Sequence, residues 1–447
     1  VMRKTPGPPD AAPGSERSND PYLPDHGNSG YRVVHYDLDL DYRIIGNRLG
    51  GKASLTAVAD QPLSRFAVDL GRFRIHDVRV DGWPVKYTHR GHKLSIKPRG
   101  PIGAGETFRV DIRYAGTPQP LSGRWGDIGW DELTDGVLVA SQPIGAPSWF
   151  PCNDRPGDKA TYRVAVTTAS AYAVLVTGEL VSRWRGASTT KWVYERREPT
   201  ATYLMSVQIG RYQLVDLADG GIVQRAAIPA GLRDAFRYDF GRHGQIMATL
   251  EGFFGPYPFP EYVVVVTADE LEDPVEAQGM AVFGANHVDG RRTHERLVVH
   301  ELAHQWFGNS LTVANWRHIW LNEGFATYAE WLWAGACGQS TPDALAAQWH
   351  DELARRPATV RVADPGVERM FDPLVYKRGA LTLHALRKAM GDGSFFAFLR
   401  AWVAEHRHGT VTTEEFRTHA QRFARKPLDG LFDAWLNRPE LPPDLTR

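Results

Sequence analysis

The chain has 447 residues, 43% hydrophobic and 23% charged, with 52 basic residues set against 52 acidic ones. That length supports two or three domains with sizeable cores, and the even charge balance offers no basic field for nucleic acid. No apolar run approaches the ~18 residues of a membrane-spanning helix, and the two cysteines, Cys152 and Cys337, make neither a disulfide framework nor a thiolate metal site.

Residues 1–29 are rich in Pro, Ser and Asp and poor in apolar groups, which predicts a disordered N-terminal arm. No apolar signal-peptide core is visible there, so a cytoplasmic location is expected, with secretion after signal removal as the alternative. From Tyr31 the pattern switches to period two. Tyr36, Leu38, Leu40 and Tyr42 alternate with Asp37, Asp39 and Asp41, as in a half-buried strand. Short runs of the same kind follow at Ala53–Ala59, Phe66–Leu70, Phe73–Val80, Lys93–Ile96 and Thr107–Tyr114, then at Ala171–Thr177, Lys191–Glu195 and Ala201–Ile209. Asp81-Gly82 and Ala104-Gly105 punctuate them as turns. An antiparallel β domain over 30–217 is therefore expected, followed by a mainly helical domain over 218–447. The helical spacing begins with Phe236, Phe240, Met247, Leu250 and Phe254. The β-branched run Tyr262–Thr267 reads as a buried strand.

Chemistry is concentrated between Val298 and Trp333. His300, Glu301 and His304 form H-E-x-x-H, and Glu323 follows after a gap of 18 residues. Residues i and i+4 of a helix share a face, so both imidazoles can reach one metal. Two His and a later Glu are the ligand set of a catalytic zinc site with a fourth position open to water, and Glu301 is then available as general base. One Zn2+ per chain is expected, held by His300, His304 and Glu323. Thr293 is the expected N-cap of this helix and Gly308-Asn309 its stop. A second helix should start near Asn322, and Glu330 is a candidate partner for a ligand imidazole. Farther on, Phe395, Phe398, Leu399 and Trp402 share one helix face, and Thr412-x-x-Glu415 reads as a capping box.

HELAHQWFGN followed by WLNEGFATYAEW resembles the gluzincin zinc aminopeptidases, the group of aminopeptidase N and the leukotriene-hydrolase-like enzymes. FPCNDRPGDKATY, FFGPYPFPEY and LVYKRGAL resemble further segments of that family, so the likeness covers about residues 31–440. It implies an N-terminal β domain followed by a thermolysin-like catalytic domain, an α+β multidomain fold. By resemblance, Gln142 and Glu276 bind the substrate's amino terminus and Tyr376 hydrogen-bonds the oxyanion. The family's G-x-M-E-N segment has become Asp273-Pro274-Val275-Glu276-Ala277 here, and Glu270 and Glu272 stand close by as competitors for the role of Glu276. Cys152 is expected to be a buried packing residue. The implied function is zinc-dependent removal of N-terminal residues from peptides with a free amino terminus. The alternatives are a zinc endopeptidase or an epoxide-hydrolase-like relative and, from a different class, an inactive binding scaffold. Self-association is left open.

Overall fold

The computed structural model describes residues 11–218 and 221–444. The chain divides into two compact units, Val1–Tyr212 and Gln213–Arg447. The break precedes the boundary read from the sequence because strand Gln213–Ala218 hydrogen-bonds to Val223–Ile228 of the second unit. Hydropathy marks a strand but does not say which sheet receives it.

The first unit is built on an eight-stranded sheet. At its centre Tyr31–Arg43 turns Tyr36, Leu38, Leu40 and Tyr42 into the core and leaves the intervening aspartates on the outer face. It pairs antiparallel with Arg48–Ala59 on one side but parallel with Lys159–Ala169 on the other, so the sheet is mixed where pure antiparallel pairing was expected. The run expected to be one strand over Ala201–Ile209 is interrupted: a strand ends at Ala201, a single 3-10 turn spans Thr202–Leu204, and Val207–Gly210 joins a different sheet.

Residues 1–10 of the expected arm lie outside the described residues. Residues 11–29 are held in place. Ala12–Pro13 pairs with Leu63–Asp69, and Asn28 is fully buried. The Gly27 amide and the Asn28 carboxamide donate to Asp69 Oδ2 at 3.0 and 3.1 Å, and the Asn28 amide donates to Asn153 Oδ1 at 2.7 Å. A reading based on apolar content misses this anchor because it is polar. Cys152 is buried as expected, and burial pushes its thiol well up.

The second unit carries a five-stranded sheet in the order Gln213–Ala218, Val223–Ile228, Glu261–Val266, Met280–Phe283, Val275–Ala277. The inner pairs are parallel and the edge strand Val275–Ala277 is antiparallel. Its helices include His243–Phe254, Glu295–Ala303, Trp320–Ala336, Pro342–Ala354, Pro373–Met390, Asp392–Glu405 and Thr413–Gln421. Phe236, Phe240, Met247, Leu250 and Phe254 are buried, as are Phe395, Phe398, Leu399 and Trp402. The Thr412–Glu415 capping box is formed in both directions. No helix among the described residues is long and apolar enough to cross a membrane.

Candidate metal centre and active site

The helix carrying H-E-x-x-H runs Glu295–Ala303, with His294 rather than Thr293 at the N-cap position and no side-chain cap bond. Thr293 sits one residue too far out and bonds Asp289 instead. The helix start is fastened through Glu295, whose carboxylate takes both the Nε and Nη2 groups of Arg242 and the indole Nε1 of Trp333 at 3.2 Å. Regular helix ends at Ala303, before the predicted stop. The His304 amide still bonds the His300 carbonyl at 3.2 Å, so the two imidazoles stay one turn apart on one face. Gly308 then turns the chain at φ +117°, and a Cβ there would lie 3.2 Å from the Asn322 carboxamide. That conformation favours glycine.

Glu323 enters from the helix Trp320–Ala336, which begins slightly earlier than expected. His300 Nε2 and His304 Nε2 each stand 3.4 Å from Glu323 Oε2. Such spacing is close to the edge of a tetrahedron with bonds of about 2.0–2.1 Å, so the three side chains fit a zinc ion. The opposite ring nitrogens are engaged: His300 Nδ1 with Glu330 Oε1 at 2.8 Å, and His304 Nδ1 with the Phe307 carbonyl at 3.1 Å. These bonds set the tautomer that leaves each Nε2 lone pair free for a metal. Glu330 is thus brought to the position considered for it, and its Oε2 lies 3.6 Å from Arg296 Nη1.

The electrostatics ask for positive charge. Burial alone would lower the imidazoles, but Glu323 and Glu330 push His300 up to about 10, and Glu323 and Glu276 push His304 up to about 9. Burial would raise Glu323, but the two imidazoles hold it down at about 2. The nitrogen lone pairs that take up those protons are the ones a metal ion would use. Burial, opposed by the imidazoles, raises Glu301. Its Oε2 is buried with no hydrogen-bond partner among the described residues, as suits a carboxylate waiting for water.

Glu276 lies on the edge strand Val275–Ala277, 9% exposed, and its carboxylate clusters with Glu301 and His304 within 4.8 Å. Glu270 and Glu272 are exposed. No Lys or Arg pairs with Glu276 among the described residues, and burial raises its pKa. Two carboxamides hold this strand: Gln305, which the sequence reading passed over, and Asn309, which it took only as part of the helix stop. Gln305 accepts from the Gly279 amide at 2.7 Å and donates to the Ala277 carbonyl at 3.1 Å, and Asn309 Nδ2 donates to the same carbonyl at 2.9 Å. Their signal was two polar residues within the apolar stretch that follows the second histidine.

Tyr376 stands in the first turn of Pro373–Met390, a helix capped by Asp372 on the Leu374 amide. Its ring lies nearly parallel to that of His300, centroids 6.0 Å apart. Burial first, then the charges of Glu323, Glu276 and Glu301, push the phenol well above its usual range, so it remains a proton donor at neutral pH. This helix meets Trp320–Ala336 where two glycines touch: a Cβ on Gly379 would lie 2.9 Å from Gly324 Cα. Gln142 belongs to the first unit, just past strand Gly136–Ala140, and its Nε2 is buried without a partner among the described residues.

This combination, a His-His-Glu ligand set with a partnerless glutamate beside it, defines a metallopeptidase-type centre. The Peptidase family M1 domain matches residues 238–435 and the Peptidase M1 N-terminal domain matches 33–204. An M1 zinc metallopeptidase from Deinococcus radiodurans is 32% identical, with a TM-score of 0.86, covering 95% of this chain and 98% of that one. A mutant M1 zinc metallopeptidase from the same organism, bound to a Tyr-Ser-Ala substrate, is 31% identical with a TM-score of 0.87 over 96% of this chain and 99% of that one. Mouse aminopeptidase B is 26% identical over 434 residues, covering 88% of this chain. The chain spans 64% of that relative's length, and 37% of the length of Arabidopsis thaliana aminopeptidase M1. The chain belongs to peptidase family M1.

Proposed function

We propose that this chain is a zinc-dependent aminopeptidase that removes N-terminal residues from peptides. The observation that carries the reading is Glu276, a buried carboxylate with no Lys or Arg partner among the described residues, set beside the candidate base Glu301 and the candidate ligand His304. A peptide's α-ammonium supplies the missing cation, and a buried carboxylate–ammonium pair sets the register of cleavage at one residue.

His300, His304 and Glu323 would hold the zinc, one ion per chain, which supplies Lewis-acid polarisation of the scissile carbonyl and a more acidic water. Glu301 takes a proton from the attacking water and passes it to the leaving amine. The Tyr376 hydroxyl donates to the oxygen that gains negative charge. Gln142 is assigned to the substrate's amino terminus on its sequence motif, as an acceptor for the ammonium group. A cytoplasmic location rests on the scarcity of cysteine, two in 447 residues, and cell fractionation checks it.

The test is a panel of aminoacyl chromogenic amides, each free and amino-blocked, assayed with a zinc chelator and after zinc is restored. Turnover of free amines alone, abolished by the chelator and recovered with zinc, is the expected result. Equal turnover of blocked substrates would overturn the role given to Glu276 and favour an endopeptidase.

A further inference from the structure

Arg378 sits two residues beyond Tyr376 on the helix Pro373–Met390 and is only 4% exposed. At about 100° per residue, positions two apart point to nearly opposite sides of a helix. One side of this helix therefore presents the phenol, and the other sends a guanidinium into the protein. That guanidinium donates to the carbonyls of Val360 at 3.4 Å, Ala434 at 3.0 Å, Trp435 at 3.1 Å, Arg438 at 2.6 Å and Glu440 at 2.9 Å, and also to that of Pro439. Five of the six acceptors lie within 434–440. No carboxylate forms a direct ion pair with Arg378 among the described residues, although the charge of Glu440 acts on it, so every hydrogen bond of the buried guanidinium goes to a backbone carbonyl. An arginine presents five N–H donors in a planar fork, whereas a lysine presents three from one atom. Only the fork can serve such a ring of acceptors.

We infer that Arg378 is a positioning residue for Tyr376: its guanidinium clamps the 434–440 segment against the helix Pro373–Met390 and so sets where the phenol stands. The Gly324–Gly379 contact seats this helix against the one bearing Glu323, and the carbonyl collar holds it from a second direction. An oxyanion donor acts only over a narrow range of distance, and a displacement of about 1 Å can cost ~10²-fold in rate. The inference rests on the oxyanion role proposed for Tyr376.

The test is a pair of double-mutant cycles on the zinc-loaded enzyme, reading kcat, KM and bound metal. Arg378→Lys keeps the charge and loses the fork. It should lower kcat about tenfold with KM within about twofold and metal content unchanged, the pattern of a misplaced transition-state donor. In a Tyr376→Phe background the same substitution should change kcat by less than about twofold, since its effect passes through the missing hydroxyl. Pro439→Gly loosens the collar without touching Arg378 and should give a smaller loss of kcat, likewise erased by Tyr376→Phe. This variant carries the cycle if Arg378→Lys does not fold. A folded variant with unchanged kcat, or an equal loss in both backgrounds, would overturn the inference. Unchanged kcat in Tyr376→Phe alone would instead overturn the oxyanion reading beneath it.

Discussion

Both units bury a group of carboxylates, and they stabilise them in opposite ways. In the first, Asp69 accepts from the amides of Gly27 and Asp154, from Asn28 Nδ2 and from Lys93 Nζ. Its neighbour Asp154 takes a hydroxyl bond from Thr202 at 2.7 Å. Burial, with Asp69 close by, pushes Asp154 up to about 8, so it avoids a buried charge by staying protonated. In the second unit Glu323 stays ionised between two imidazoles, and among the described residues Glu301 keeps an oxygen with no donor and Glu276 has no Lys or Arg partner. Asp69 is satisfied by donors of its own fold, and Asp154, whose Oδ2 has no partner among the described residues, is neutralised by a proton. The second cluster, short of donors and of Lys or Arg partners, fits a metal ion and, on the reading proposed above, a water and an ammonium group.

The comparison breaks first at Glu301. Glu301→Gln should retain full zinc and lose about 10³-fold in kcat, read by metal analysis beside steady-state kinetics. Undiminished turnover would remove Glu301 as the base. Next comes Glu276→Ala, which deletes the carboxylate proposed to bind the ammonium group. It should lower kcat/KM for free amines about 10²-fold with bound zinc unchanged, and a loss of zinc or of folding alongside activity would place Glu276 in the scaffold. Glu330→Gln removes the charged partner of His300 and should weaken zinc binding about 10- to 100-fold in a chelator competition.

The smallest expected effect lies in the first unit. Folded Asp154 titrates near 8 against an ordinary 3.8, so between those values the folded chain holds a proton that the unfolded chain has released. Its contribution to stability is present at low pH and is lost as pH rises through that window. Asp154→Asn removes the titration. The urea midpoint of the variant should match the parent at about pH 4 and exceed it at about pH 9, by an amount that grows with pH between them. A pH-independent difference would mean that Asp154 is ionised in the fold.

The site was legible where chemistry is written in local spacing. His300, Glu301 and His304 lie within one helical turn, and period-two alternation exposed the central strand Tyr31–Arg43 because one face of that strand is buried. Glu276 was singled out by resemblance with two acidic competitors nearby, and burial separates it from them, since Glu270 and Glu272 face solvent. The strand-holding roles of Gln305 and Asn309 stayed hidden, because their partners are backbone groups about 30 residues away, and a carboxamide carries no sign of which backbone it will hold.

By itself, then, the sequence determined the α+β organisation, the His-Glu-His spacing from which the metal ligands and the base are proposed, the central strand Tyr31–Arg43 and the Thr412–Glu415 cap. Tertiary structure alone decided the parallel pairing of Lys159–Ala169 with Tyr31–Arg43, the polar anchoring of residues 11–29, the approach of Glu323 to the two histidines and the carbonyl collar around Arg378. The physical reason is range. Helix periodicity, capping and turn geometry are set within a few residues, whereas buried polar groups take whichever donors and acceptors the fold brings near, and those come from anywhere in the chain.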